Sequence, residues 1–191
     1  SIKNRDYETQ ERMTPLVYEN PYHDIPTGAE WLKSIGPECP ELLKYVIKHR
    51  EDFELFIFIG YMYYTTTMVM PYVADKAILV PTAHDEEALN LCNYFKMEFN
   101  LPRALLPSTN EEIKLIRKRF HNEHIPAVLG GVGVDIPAEE KIKKIDVRKK
   151  YGIDEDYIVY VGRVDDTKYC KDLFHEFAYY KKKYKGNLRL V

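Results

Sequence analysis

Tyr157-Ile-Val-Tyr-Val-Gly-Arg-Val-Asp-Asp-Thr-Lys168 joins an apolar run to a polar, cationic loop. Its first five residues, Tyr157 to Val161, have the apolar, β-branched character of a buried strand, and Gly162 to Thr167 read as a loop. Cys170 to Lys185 follow with Leu173, Phe174, Phe177 and Tyr184 on one helical face, and Leu188 to Val191 are a second strand. A strand, a helix and a returning strand make a parallel βαβ unit. Because the chain stops inside that last strand, it is expected to be truncated or only partly represented.

Working backward, the same alternation runs through the earlier chain. Pro40 opens a helix carrying Leu42, Leu43, Val46 and Ile47, and Phe53-Glu-Leu-Phe-Ile-Phe-Ile-Gly60 is a buried strand. Tyr64 to Tyr72 is then predicted helical, Lys76 to Thr82 a strand, Glu86 to Phe99 a helix, and Arg103 to Pro107 a strand. Thr109 and Glu112 have the spacing of a capping box at the start of a helix with Ile113, Leu115, Ile116 and Phe120, and Pro126 to Gly131 add a short strand. Strands alternating with helices imply an α/β fold whose parallel sheet is covered on both faces. The first 40 residues, rich in Pro, Glu and Asn, read as loops with one short helix around Trp31 and Leu32. Past Asp135 a polar, proline-marked stretch looks like a connector. The expected organisation is a first α/β domain over 1–135, a connector over 136–150, and the opening of a second domain over 151–191.

Composition narrows the function classes. With 191 residues, 45% of them hydrophobic, the chain can bury a real core. A formal net charge of only −2 supplies no global field that would draw the protein onto nucleic acid. Cys39, Cys92 and Cys170 form no CxxC pair, so neither a zinc ribbon nor a disulfide framework is indicated, and a reducing, cytoplasmic setting is expected. The apolar runs are strand-sized and the N-terminal residues polar, which argues against a signal peptide or a spanning helix. Sixteen tyrosines are unusual; most such rings fill core edges, while crowded ones also suit sugar stacking or lipid headgroups.

Arg163 and Lys168 stand five residues apart in a strand-to-helix loop, at the carboxyl edge of a parallel sheet, where α/β folds bind ligands. Two cations beside a helix N-terminus suit a diphosphate, the guanidinium as a fork and the ammonium as a point charge. Two solvated loop cations would give the same spacing. His84 and Asp85 close the stretch Ile78-Leu-Val-Pro-Thr82 on the equivalent edge of the first sheet; they are either ligand contacts or a helix cap with its dipole-compensating acids. Gly130, Gly131 and Gly133, in the order G-G-V-G-V-D and followed by Pro137, are no dinucleotide fingerprint. Close backbone approach and a hinge between domains explain them better. His121 and His124 beside Glu123 read as a helix end rather than a metal pair. Lys181 to Lys183 with Lys185 read as a solvated, dipole-compensating helix end, with peripheral contact to the inner face of a membrane as the alternative.

The strand–GR–x4–K–helix arrangement, together with Val132-Gly-Val-Asp135, Leu79-Val-Pro-Thr-Ala-His-Asp85, Phe58-Ile-Gly-Tyr-Met-Tyr-Tyr-Thr65 and Ser108-Thr-Asn-Glu-Glu112, resembles the retaining glycosyltransferases of family 4, also called group 1, and a bacterial subgroup among them. The likeness runs from about Trp31 to the end; Glu87 departs from it, since similar sequences tend to have proline there. The resemblance implies two facing Rossmann-like domains of the glycosyltransferase B type. It implies transfer of a hexose from a nucleoside diphosphate sugar to a carbohydrate or lipid-linked hydroxyl acceptor, with retention and without a metal cofactor. Arg163, Lys168 and Gly162 would hold the donor diphosphate, and His84 with Asp85 would contact the reacting sugar. The acidic donor-binding residues of such enzymes would lie beyond Val191, so the chain is expected to be inactive alone. A non-catalytic nucleotide-binding module and a nucleotide-sugar epimerase remain as alternatives. Open sheet edges can pair between chains, which makes a homodimer a hypothesis for sedimentation.

Overall fold

The computed structural model describes residues 2–143 and 146–191, and its internal contacts divide the chain into two compact units, Ser1–Gly133 and Val134–Val191. Each is α/β with a small parallel sheet.

The first unit opens with helices α1 (Tyr7–Tyr18) and α2 (Ile25–Ile35), each started by an aspartate whose carboxylate accepts a backbone N–H three residues on: Asp6 from Thr9 and Asp24 from Thr27. Two helices therefore occupy the region expected to be loops with one short helix. Pro15 inside α1 and its polar composition conceal it, yet Met13 and Val17 are spaced to share a face and are buried with Trp31 and Leu32 of α2. Helix α3 (Pro40–Lys48) leads to strand β1 (Phe56–Ile59). Helix α4 (Tyr64–Thr67) is shorter than expected: Pro71 cannot supply a helical N–H, and the chain continues as a 3₁₀ turn over Met70–Lys76. Strand β2 (Ala77–Val80) is followed by α5 (Glu87–Leu91) and α6 (Tyr94–Glu98), in place of the single helix expected over Glu86 to Phe99. The break has a cause: the backbone N–H of Asn93 donates to His23 Nε2, and its side-chain amide donates to the carbonyls of Pro21 and His23. These bonds tie the α5–α6 junction to the α1–α2 turn. Strand β3 (Ala104–Leu105) and helix α7 (Asn110–Phe120) complete the unit, and the strand expected over Pro126 to Gly131 is reduced to one parallel bridge between Leu105 and Ala127.

The sheet order is β1-β2-β3, all parallel, with Phe56 opposite Ala77, Phe58 opposite Leu79, and Leu79 opposite Leu105. These residues share a face by the two-residue period of a strand, and the core is built on it from Met13, Trp31, Leu32, Phe95, Phe99 and Ile116. The opposite face is not covered as expected: Ile57 is 65% exposed and Ile59 68%. One acid lies within the core. Glu98 is fully buried with neither carboxylate oxygen hydrogen-bonded among the described residues, and burial holds its carboxyl well above the usual range.

The second unit contains α8 (Glu139–Lys143) and α9 (Val147–Tyr151) within the stretch read as a connector, then β4 (Tyr157–Ile158), α10 (Cys170–Lys183) and β5 (Arg189–Leu190). Strands β4 and β5 pair in parallel, Tyr157 opposite Arg189. The ladder extends to Tyr160, whose N–H donates to the Val191 carbonyl at 2.9 Å. Leu173 and Phe177 are half-buried on the apolar face of α10, whereas Phe174 and Tyr184 remain about half exposed.

Among the described residues no helix is long and apolar enough to cross a membrane.

Candidate functional site

In the first unit the chain leaves β2 through Pro81 and Thr82 and reaches Ala83, His84 and Asp85 at the carboxyl edge of the sheet. It leaves β3 through Ser108 and Thr109, where α7 begins. These two exits enclose an open cavity of about 640 Å³ lined by Thr82, His84, Asp85, Ser108, Thr109 and Glu111. Thr82 adopts φ 53°, in the left-handed region that a β-branched residue rarely enters. Strained backbone of this kind concentrates at functional sites, where neighbouring structure holds it in place.

The neighbour that holds it is Glu112. Thr109 caps α7 as its spacing predicts, its hydroxyl accepting the Glu112 N–H at 3.0 Å. The second half of the expected capping box does not form. Instead of reaching back to Thr109 N–H, the Glu112 carboxylate accepts from Ala83 N–H at 2.6 Å and from Ser108 N–H at 2.7 Å, one oxygen on each strand exit. With 6% exposure this carboxylate is inside the fold.

His84 and Asp85 both line the cavity and both are exposed, but no hydrogen bond joins them among the described residues. Asp85 accepts from the Asn90 side-chain amide at 2.7 Å, which directs it to α5. Neither residue caps α5; its N-cap is Glu86, whose carboxylate accepts the buried Tyr61 hydroxyl at 2.7 Å. Among the described residues, the cavity lining includes no lysine or arginine. Hydroxyls, an imidazole and carboxylates suit a neutral polyhydroxylated ligand and repel a diphosphate.

The second unit supplies the opposite chemistry. The loop after β4 is fixed through Arg163, whose carbonyl accepts the Tyr160 hydroxyl at 2.8 Å and the Cys170 thiol at 3.6 Å. A Cβ at Gly162 would stand 2.8 Å from the Tyr160 hydroxyl oxygen, so the Tyr160 ring would have to shift to admit one. The Arg163 guanidinium is 78% exposed and lies 3.6 Å from Asp165, a surface pair of small worth that an anion can displace. Lys168 ends a 3₁₀ turn over Asp166–Lys168 and is exposed. Tyr169, at φ 54°, then turns the chain into α10, which has no side-chain capping hydrogen bond among the described residues. Lys168 thus precedes a 14-residue helix by two residues, and Lys171 in its first turn pairs with Asp166 at 2.7 Å.

Gly130, Gly131 and Gly133 differ among themselves. A Cβ at Gly130 would meet Leu106 at 2.7 Å, Gly131 needs its φ of 68°, and nothing crowds Gly133. His121 is the left-handed C-cap of α7, and no group of three or more metal-ligating side chains occurs among the described residues. Of the residues around the cavity, Thr82, Ser108 and Glu111 lie within the stretches quoted from sequence but were given no role there. Glu112 was, but its T-x-x-E spacing pointed to its own helix end.

A scan against protein-family models gives no match for this chain, and a search of curated proteins gives none either.

Proposed function

We propose that the chain is part of a cytoplasmic glycosyltransferase with two Rossmann-like domains, which moves a hexose from a nucleoside diphosphate sugar to a hydroxyl acceptor with retention of configuration. The observation that carries the reading is the loop over 162–168: it leaves a parallel strand, is fixed through the Arg163 carbonyl, and carries Arg163 and Lys168, both exposed, into the start of α10. N–H groups at that start, with two cations, match the charge and oxygens of a diphosphate. They would stabilise the leaving nucleoside diphosphate as the anomeric carbon–oxygen bond breaks. The cation-free cavity of the first unit complements this as the place for a neutral acceptor. There His84 would hydrogen-bond a sugar hydroxyl, and Asp85 would take the acceptor's hydroxyl proton after releasing Asn90.

The test is calorimetric titration of the complete parent protein with UDP and with GDP, repeated for Arg163→Ala and Lys168→Ala. Micromolar binding is expected for one nucleotide. Each substitution is expected to weaken it more than tenfold, roughly 1.4 kcal/mol. Binding untouched by both substitutions would remove the diphosphate assignment.

A further inference from the structure

We propose that Glu112 is a positioning residue for the first-unit cavity, which it lines: through its backbone bonds it sets where the His84 loop stands. Both carboxylate oxygens are committed to backbone N–H groups, Ala83 on the exit of β2 and Ser108 on the exit of β3. Ala83 lies between Thr82, whose backbone is held at φ 53°, and His84, which lines the cavity. One buried side chain therefore spans both walls of the cavity and fixes the left-handed turn that aims His84.

Its placement on α7 makes it a rigid support. The helix is anchored by Ile116 and Phe120 in the core and started by the Thr109 cap, so the carboxylate position is set by packing. Glutamine has the same shape but only one acceptor oxygen, so it can satisfy one of the two N–H groups and must turn an NH₂ donor toward the other. A buried N–H left unpaired is costly, and the loop is expected to move until it finds water. The ligand class used to read out the consequence rests on the proposed sugar-binding role of this cavity; the loop geometry does not.

The experiment is nuclear magnetic resonance on the full ¹⁵N-labelled chain, comparing Glu112→Gln with Ile116→Val. The latter loosens the same helix without touching either bond. In Glu112→Gln the Ala83 and Ser108 amides are expected to exchange with solvent more than tenfold faster and the His84 ring resonances to shift. Ile116→Val should leave all three within twofold or unshifted. Saturation transfer from methyl α-glucopyranoside provides a second arm, in which Glu112→Gln is expected to weaken binding at least tenfold. Unchanged amides and His84 in Glu112→Gln, or equal changes in Ile116→Val, would overturn the positioning role. So would moved amides with glucoside binding intact. If the unsubstituted chain binds no glucoside, the sugar reading of the cavity fails, and the His84 resonance alone decides on Glu112.

Discussion

Trp31→Ala is expected to lower the stability of the first unit by about 3–5 kcal/mol, the cost of removing a large buried aromatic side chain and leaving a cavity. Trp31 is 2% exposed, its indole N–H donates to the Thr14 hydroxyl at 3.0 Å, and its ring lies 5.5 Å from that of Tyr18. It joins α1 and α2 to each other and to the core on the sheet. Against a typical domain stability of about 5–15 kcal/mol, such a loss is severe. Because Trp31 is the sole tryptophan, the urea transition is best followed by circular dichroism. Tyr22→Ala is the control: that ring is 91% exposed, and its loss should change stability by no more than about 0.5 kcal/mol. A cost below about 1 kcal/mol for Trp31→Ala would mean that the first two helices do not share the core of the sheet.

Glu98→Gln is expected to stabilise the protein progressively as pH rises. In the folded chain burial raises this carboxyl well above the ordinary value of 4.5, so folding takes up a proton throughout the range between the two. The contribution of Glu98 to stability is therefore complete below about pH 4.5 and is lost as pH climbs toward the folded value. While the folded carboxyl stays neutral, the loss runs at up to about 1.4 kcal/mol per pH unit. Glutamine cannot titrate. Urea midpoints for the two proteins should converge near pH 4.5 and separate as pH rises above it, with the variant the more stable. Parallel pH profiles would show that Glu98 finds a partner or water in solution.

Much of the chain was legible because its signals are local. The alternation of apolar runs located β1, β2 and β3, and Thr109 announced α7 by a cap whose geometry depends on neighbouring residues only. The misreadings share a different cause. Helix α1 buries a narrow face, Met13 and Val17, under a polar, proline-interrupted sequence. The break between α5 and α6 depends on His23 and Pro21, some seventy residues away. Glu112 behaves likewise: its spacing suits a cap, but its carboxylate goes to Ala83, which pairs with it only once β2 and β3 lie side by side. The positions of His84 and Arg163, each just past the end of a strand, were readable from the strand ends. The left-handed backbone of Thr82 was not, because nothing in a threonine announces it.

The most direct test of the donor-site assignment is a map of backbone amide shifts as the complete ¹⁵N-labelled parent protein is titrated with UDP or GDP. The assignment requires saturable shifts concentrated in 161–172, with the amides at the start of α10 moving together with those around Arg163 and Lys168. Saturable shifts centred instead on the cation-free cavity around His84 and Ser108, or no shifts at millimolar nucleotide, would contradict it.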